Sequence, residues 1–267
     1  MRKLYFVLII QMLFLCQQTF AQDTLDSIVK VKSMVYFDDI ELLMLLSGVD
    51  SSNPGNDALN KMGKPISYSS KLVELAETGN AVAQNFLGHC YLEGEGIEQN
   101  SKKAVFWFSK AAEKNNSKAY NNLGYCYENG VGVEQSPFQA YSFYKKSALL
   151  GHNRAFNNLA QCYLHGTGTP VDSIKARAWF EKGAEAGIRT SQTNVGYLYL
   201  SIEGEEDYDK AFYWLTKASE QNSQNALEML GMCYENGWGT KVDLSKAQEC
   251  YRKSYQLGNE YAKIRIK

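Results

Sequence analysis

The residue types that could do chemistry are few in this chain, and their spacing argues against a reaction centre. There are three histidines, His89, His152 and His165. A zinc site on a helix would need two of them one turn apart beside a carboxylate, and no His-Glu-x-x-His occurs. His152 and His165 fall in a turn and at a helix end. Four Gly-x-Gly pairs, Gly94/Gly96, Gly130/Gly132, Gly166/Gly168 and Gly237/Gly239, could suggest phosphate cradles. A phosphate loop follows a strand and opens a helix, whereas these pairs follow helical stretches, so helix capping explains them better. There is no Gly-x-Ser-x-Gly, and no Ser-x-x-Lys accompanied by the other lactamase signatures. The carboxylates are scattered over polar positions. The expectation is a chain with no catalytic residue, no metal and no cofactor, and not an enzyme.

The cysteines point instead to architecture. Four of the six, Cys90, Cys126, Cys162 and Cys233, stand immediately before a tyrosine in one recurring phrase, Leu-x-x-Cys-Tyr. The phrase runs Leu87–Tyr91, Leu123–Tyr127, Leu159–Tyr163 and Leu230–Tyr234, with a weaker copy at Val195–Tyr199. Its small second member is Gly88, Gly124, Ala160, Gly196 and Gly231, in steps of 36, 36, 36 and 35 residues. A fixed period in this range marks a solenoid of stacked helical units. Equivalent residues on neighbouring helices lie about 9–10 Å apart, beyond the ~7 Å that a disulfide can bridge. The four therefore read as small buried fillers. Cys250, on the second helix of the last unit, is placed to meet Cys233, and that pairing stays open.

Each unit holds two helices. Ala119, Leu123 and Tyr127 share one face of a first helix at i, i+4 and i+8. Gly124 beside them costs roughly 1 kcal/mol of helix propensity, which a close approach of the partner helix would offset. Ala160 at the same place shows that smallness is what matters. The second helix carries Ala140, Phe143, Tyr144 and Ala148, echoed by Ala104, Trp107, Phe108, Ala112 and by Ala176, Trp179, Phe180, Ala184. Residues from Ser67 to Thr78 match a second helix alone, so the array starts with a half unit. In the fourth unit the double glycine is replaced by an acidic loop over Ser201–Asp209. Glu260–Lys267 look like the start of another first helix.

Of 267 residues, 45% are hydrophobic, as expected of a folded chain, and the formal charge is -1. Nothing supplies the basic surface that nucleic acid binding needs. Arg2 and Lys3 precede an apolar run from Leu4 to Leu15, and Thr19-Phe20-Ala21 resembles a cleavage site before Gln22. This is the pattern of a secretory signal peptide over 1–21, with a run of about a dozen residues that is short for a membrane span. Leu15 before Cys16 is too bulky for a lipidation signal. The chain thus divides into a leader (1–21), an N-terminal cap or arm with a helix over Thr24–Ser47 (22–66), and the repeat array (67–267). The expected location is periplasmic or secreted, with no membrane association beyond the cleaved leader.

The pattern Ala-x-x-x-Leu-Gly-x-x-Tyr-x-x-Gly-x-Gly is carried by Ala119, Leu123, Gly124, Tyr127, Gly130 and Gly132. With Lys103-Ala104, Trp107-Phe108 and Lys110-Ala111-Ala112 it resembles the Sel-one-like repeat, a relative of the tetratricopeptide repeat. The resemblance spans about Ser67–Lys267. It implies an all-α, right-handed α-solenoid of about five repeats plus a half repeat, acting as a scaffold or adaptor for a protein or peptide partner. Some bacterial relatives are cysteine-rich, secreted, and weak β-lactamases or penicillin binders. Those pair cysteines within each repeat, and that pairing is absent here.

First helices line the concave wall of such solenoids, and two polar columns run along them. Asn122, Asn158 and Asn194 form one; Asn85, Asn121 and Asn157 stand one residue earlier. Amides donate and accept, so such a column could hold an extended peptide by its backbone. The alternative is that the asparagines bond between repeats. Tyr120 and Phe156 flank the column, with Gln84 and Gln192, as candidate apolar and polar contacts of a monomeric binder.

Overall fold

The computed structural model describes residues 68–202 and 206–266. The expected leader, the 22–66 arm and its Thr24–Ser47 helix lie outside the described residues, as does the middle of the acidic loop. Two compact units divide between Asn100 and Ser101. In the first, α1 (Ser70–Glu77) packs on α2 (Ala81–Glu93), burying Leu72 and Ala76 with Ala83 and Leu87. The second unit runs α3 (Ser101–Ala112), α4 (Ser117–Asn129), α5 (Pro137–Leu149), α6 (Asn153–His165), α7 (Ser173–Glu185), α8 (Arg189–Ser201), α9 (Tyr208–Glu220), α10 (Gln224–Asn236) and α11 (Leu244–Gln256). Each helix packs on the next, giving an all-α solenoid of helix pairs. The expected start of a further first helix is instead a 3-10 turn, Glu260–Arg265, which buries Ala262 against α11.

The helices have explicit ends. Asn116, Ser136, Asp172, Asp207, Ser223 and Asp243 cap α4, α5, α7, α9, α10 and α11, each side chain accepting a backbone N–H of the first turn. Three of these caps share a further device. Asp172, Asp207 and Asp243 also pair with the Lys175, Lys210 and Lys246 ammonium groups at 2.7, 3.1 and 3.6 Å. Each lysine then lies over the ring of Tyr163, Tyr199 or Tyr234, joining the second helix to the first. First helices end on the first glycine of each pair, as at Gly130 (φ 69°), in the left-handed region. The second glycine has a different job. A Cβ on Gly168 would collide with the backbone carbonyl of Pro137, so that loop rests directly on the previous unit's second helix. Among the first helices of the described residues, only α8 lacks this ending; its cap, Ile202, is extended.

The core is made by slots. A Cβ on Gly124 would lie 2.5 Å from the Tyr144 ring, one on Gly231 2.5 Å from Tyr251, and one on Gly196 2.7 Å from Leu215. The ring passes over the glycine so that the Tyr144 hydroxyl donates to Glu128 Oε2 at 2.7 Å and Tyr251 to Glu235 Oε2 at 2.8 Å. Where the slot holds Ala160, the second helix carries Phe180, with no hydroxyl to deliver. Burying each such aromatic stabilises the stack by roughly 1.5–3 kcal/mol. Gly124→Ala should therefore cost about 1–3 kcal/mol by overpacking. Adding Tyr144→Phe, which frees the ring from Glu128, should recover part of it. Urea denaturation of the single and double variants checks this, and strict additivity would contradict it.

His152 caps α6 where Asn80 and Asn116 cap the corresponding helices, yet its side chain makes no capping hydrogen bond. It is buried, and burial, with Lys118 and Arg154 nearby, lowers its pKa to about 4. The unfolded chain, with a histidine near 6.5, binds a proton between these values that the folded chain refuses. Stability is thus full above pH 6.5 and falls as pH drops toward 4, by up to about 3 kcal/mol. His152→Asn should gain on the parent as pH falls from 7 to 5. Urea melts at both pH values test this; a pH-independent difference would contradict it.

Candidate functional site

The chemistry-bearing residues are built into the stack. Cys90, Cys126, Cys162 and Cys233 are buried free thiols, and burial pushes their pKa values up to about 11, 11, 12 and 12. Thiols so raised stay protonated at neutral pH and are poor nucleophiles. Cys250 is also a free thiol, half-buried at the edge of the cluster that holds Cys233. Among the described residues, no three His, Cys, Asp or Glu side chains are grouped to hold a metal ion.

The two asparagine columns are tied to each other across units in the structure. The earlier one faces the neighbouring unit. Asn121 accepts from Asn158 Nδ2 at 2.9 Å, and Asn157 from the Ser191 hydroxyl at 3.5 Å. The same rung continues as Thr193 with Ser223 at 2.9 Å and Glu228 with Asn259 at 2.8 Å. These bonds cross between units and satisfy half-buried polar groups where the stack would otherwise strand them. Asn85, in the first unit, is itself buried. Asn158 belongs to the other column, so one of its amide hydrogens is engaged in the rung. Asn122 and Asn194 are half-buried on the same helix face.

Tyr120 and Phe156 turn toward their own second helices. Tyr120 stacks on Phe143 at 6.2 Å, and Tyr127 covers the same ring at 5.4 Å. Phe156 stacks on Trp179 at 5.9 Å, under the Lys182 ammonium at 4.2 Å from the indole. These aromatics stiffen each helix pair.

Beside Asn122 and Asn194, one turn further along, stand two aromatics that the sequence reading passed over. Tyr125 and Tyr197 are each 47% exposed, although tyrosine buries readily. By register they align with Gln161 and Met232, both half-buried. All four are the variable member of the Leu-Gly-x-Cys-Tyr phrase. Its neighbours are fixed by packing, so a position that changes from unit to unit was the available signal. The first helices α4, α6, α8 and α10 thus present a wall of amides (Asn122, Asn158, Asn194) beside a row of Tyr125, Gln161, Tyr197 and Met232. Such a wall can donate and accept hydrogen bonds and stack on a planar or apolar group. No helix among the described residues is long and apolar enough to cross a membrane.

The Sel1 repeat model matches five successive segments, residues 81–116, 117–152, 155–188, 190–223 and 224–259. Among solved structures, a protective antigen of uropathogenic Escherichia coli with an SLR fold is similar at 31% identity and a TM-score of 0.70, over 73% of this chain and 42% of that one. A Sel1 repeat protein from Oxalobacter formigenes is similar at 30% identity and a TM-score of 0.67, over 73% of this chain and 82% of that one. A curated relative, the rat (Rattus norvegicus) DAP3-binding cell death enhancer 1, is 43% identical over 56 residues, 21% of this chain and only 11% of that protein. With its repeats matched over more than half its length and its helix pairs superposing on solved members, the chain belongs to the Sel1 repeat family.

Proposed function

We propose that this chain is an exported, non-enzymatic scaffold that holds an extended segment of a protein partner along the wall of its first helices. Sel1 repeat proteins are generally protein-interaction scaffolds, and a relative whose name records binding to another protein shares one stretch of these repeats. The observation that carries the reading is the pair Tyr125 and Tyr197, half-exposed and in register two units apart beside Asn122, Asn158 and Asn194. Units about 9–10 Å apart put the two rings about 20 Å from each other. An extended segment rising about 3.3 Å per residue covers that span in about six residues. Between the rings, Asn158, one of whose amide hydrogens already goes to Asn121, and Asn194 could add polar contacts to its backbone. Affinity would come from many modest contacts, with the tyrosines as anchors. Export is supported by the basic start and the apolar run over Leu4–Leu15. The wall as proposed draws on one chain alone, which goes with a monomer.

The test is capture of the partner from the native envelope fraction. Tyr125→Ala combined with Tyr197→Ala should weaken capture at least tenfold. The melting midpoint should stay nearly unchanged, because exposed substitutions usually shift stability by no more than about 0.5 kcal/mol. Undiminished capture by the double variant would discard the wall as the binding surface.

A further inference from the structure

We propose that Glu228 and Glu235, at the last unit of the wall, receive a lysine or arginine of the partner flanked by apolar residues, and that Arg265 takes this place in the free chain. The inference rests on the scaffold reading and adds the chemistry of one end of the bound segment. Glu228 and Glu235 stand seven residues apart on α10, on one face. Glu228 sits at the register position that carries Asn85, Asn121, Asn157 and Thr193 in the other units, so a neutral rung becomes charged only here. Each carboxylate is held by one donor. Asn259 Nδ2 reaches Glu228 Oε2 at 2.8 Å, and the Tyr251 hydroxyl reaches Glu235 Oε2 at 2.8 Å. These bonds aim both groups and leave the Oε1 atom of each without a hydrogen-bond donor among the described residues.

The 3-10 turn brings a guanidinium to this pair. Arg265 Nε lies 3.8 Å from Glu228 Oε1 and Nη1 lies 3.7 Å from Glu235 Oε2. Both distances exceed a hydrogen bond, whereas a guanidinium seated on a carboxylate normally makes paired contacts at about 2.7–2.9 Å. The charge is complementary and the guanidinium also lies over the Tyr251 ring at 5.8 Å, but it is seated on neither carboxylate. Around it opens a cavity of about 460 Å³ lined by Glu228, Glu235, Tyr261, Ile264 and Arg265. Its rim is apolar and open, with Tyr261 77% and Ile264 85% exposed. The turn therefore displays what the site accepts, a basic side chain next to an aliphatic one, in a form that a better-seated segment can displace.

The test uses the full chain and a dye-labelled peptide with the sequence of residues 258–266, read by fluorescence anisotropy. Arg265→Ala should bind this peptide at least tenfold more tightly than the parent, because the internal competitor is gone. Adding Glu228→Gln and Glu235→Gln, or replacing the peptide's arginine by alanine, should cost at least tenfold, and added salt should weaken binding. If Arg265→Ala loses its helical signal, Arg265→Gln is read in its place. Equal affinity of parent and variant, no binding to the variant, or binding that survives removal of both carboxylates would each overturn the proposal. Failure here alongside partner capture that still needs Tyr125 and Tyr197 would sink this site alone and leave the scaffold reading standing.

Discussion

A slot no larger than a hydrogen atom holds this structure together. Where Gly124 meets Tyr144 and Gly231 meets Tyr251, the two helices of a unit come so close that no side chain fits between backbone and ring. The helix accepts a poor helix former there, and the packing it permits outweighs the roughly 1 kcal/mol of lost propensity. The aromatic ring then has only one place to lie, and its hydroxyl reaches a glutamate on the first helix. A second small-residue contact works between units. Gly132, Gly168 and Gly239 seat their loops on the backbone of the previous second helix, so these glycine pairs set both the end of a helix and its distance from its neighbour.

The orientation of the first helices follows from this nesting. With the Ala119, Leu123 and Cys126 stripe committed to the core, Asn122 is left half-buried on its flank and Tyr125 exposed farther round the helix. The rung formed by Asn121 with Asn158, Asn157 with Ser191 and Thr193 with Ser223 keeps successive first helices in register. A surface held on rigid helices loses little conformational freedom on binding, which favours recognition of an extended segment. The same rigidity leaves the thiols sealed and protonated, so the residues most capable of chemistry serve as filling.

Much of the architecture was legible because packing repeats and therefore writes itself into the chain at a fixed period. The slot was readable from Gly124 and Ala160, the helix ends from Gly130 and its equivalents, and the half unit from Leu72 and Ala76. What escaped depended on angles between neighbours. Asn121 and Asn122 are adjacent, about 100° apart around the helix, and only the placement of the next unit brings Asn121 to the Asn158 amide. Tyr120 and Phe156 look like wall residues in a linear pattern, but each stacks on its own second helix. Tyr125 and Tyr197 hid inside a conserved-looking phrase because their exposure belongs to the stack. Glu260–Arg265 followed the repeat's composition and still closed into a 3-10 turn, held by the Asn259 cap and the bond from Gln248 to the Arg265 carbonyl.

The central claim is that recognition happens on the first-helix wall while the second helices build the stack. Hydroxyl-radical footprinting of the chain, free and with its captured partner, tests this most directly, because comparably exposed aromatics lie on both kinds of helix. Tyr125 and Tyr197 are 47% exposed on first helices; Phe106 and Tyr213 are 53% and 52% exposed on second helices. The account predicts that the partner shields Tyr125 and Tyr197 from oxidation and leaves Phe106 and Tyr213 as reactive as before. Shielding of Phe106 and Tyr213 with Tyr125 and Tyr197 unchanged would contradict it.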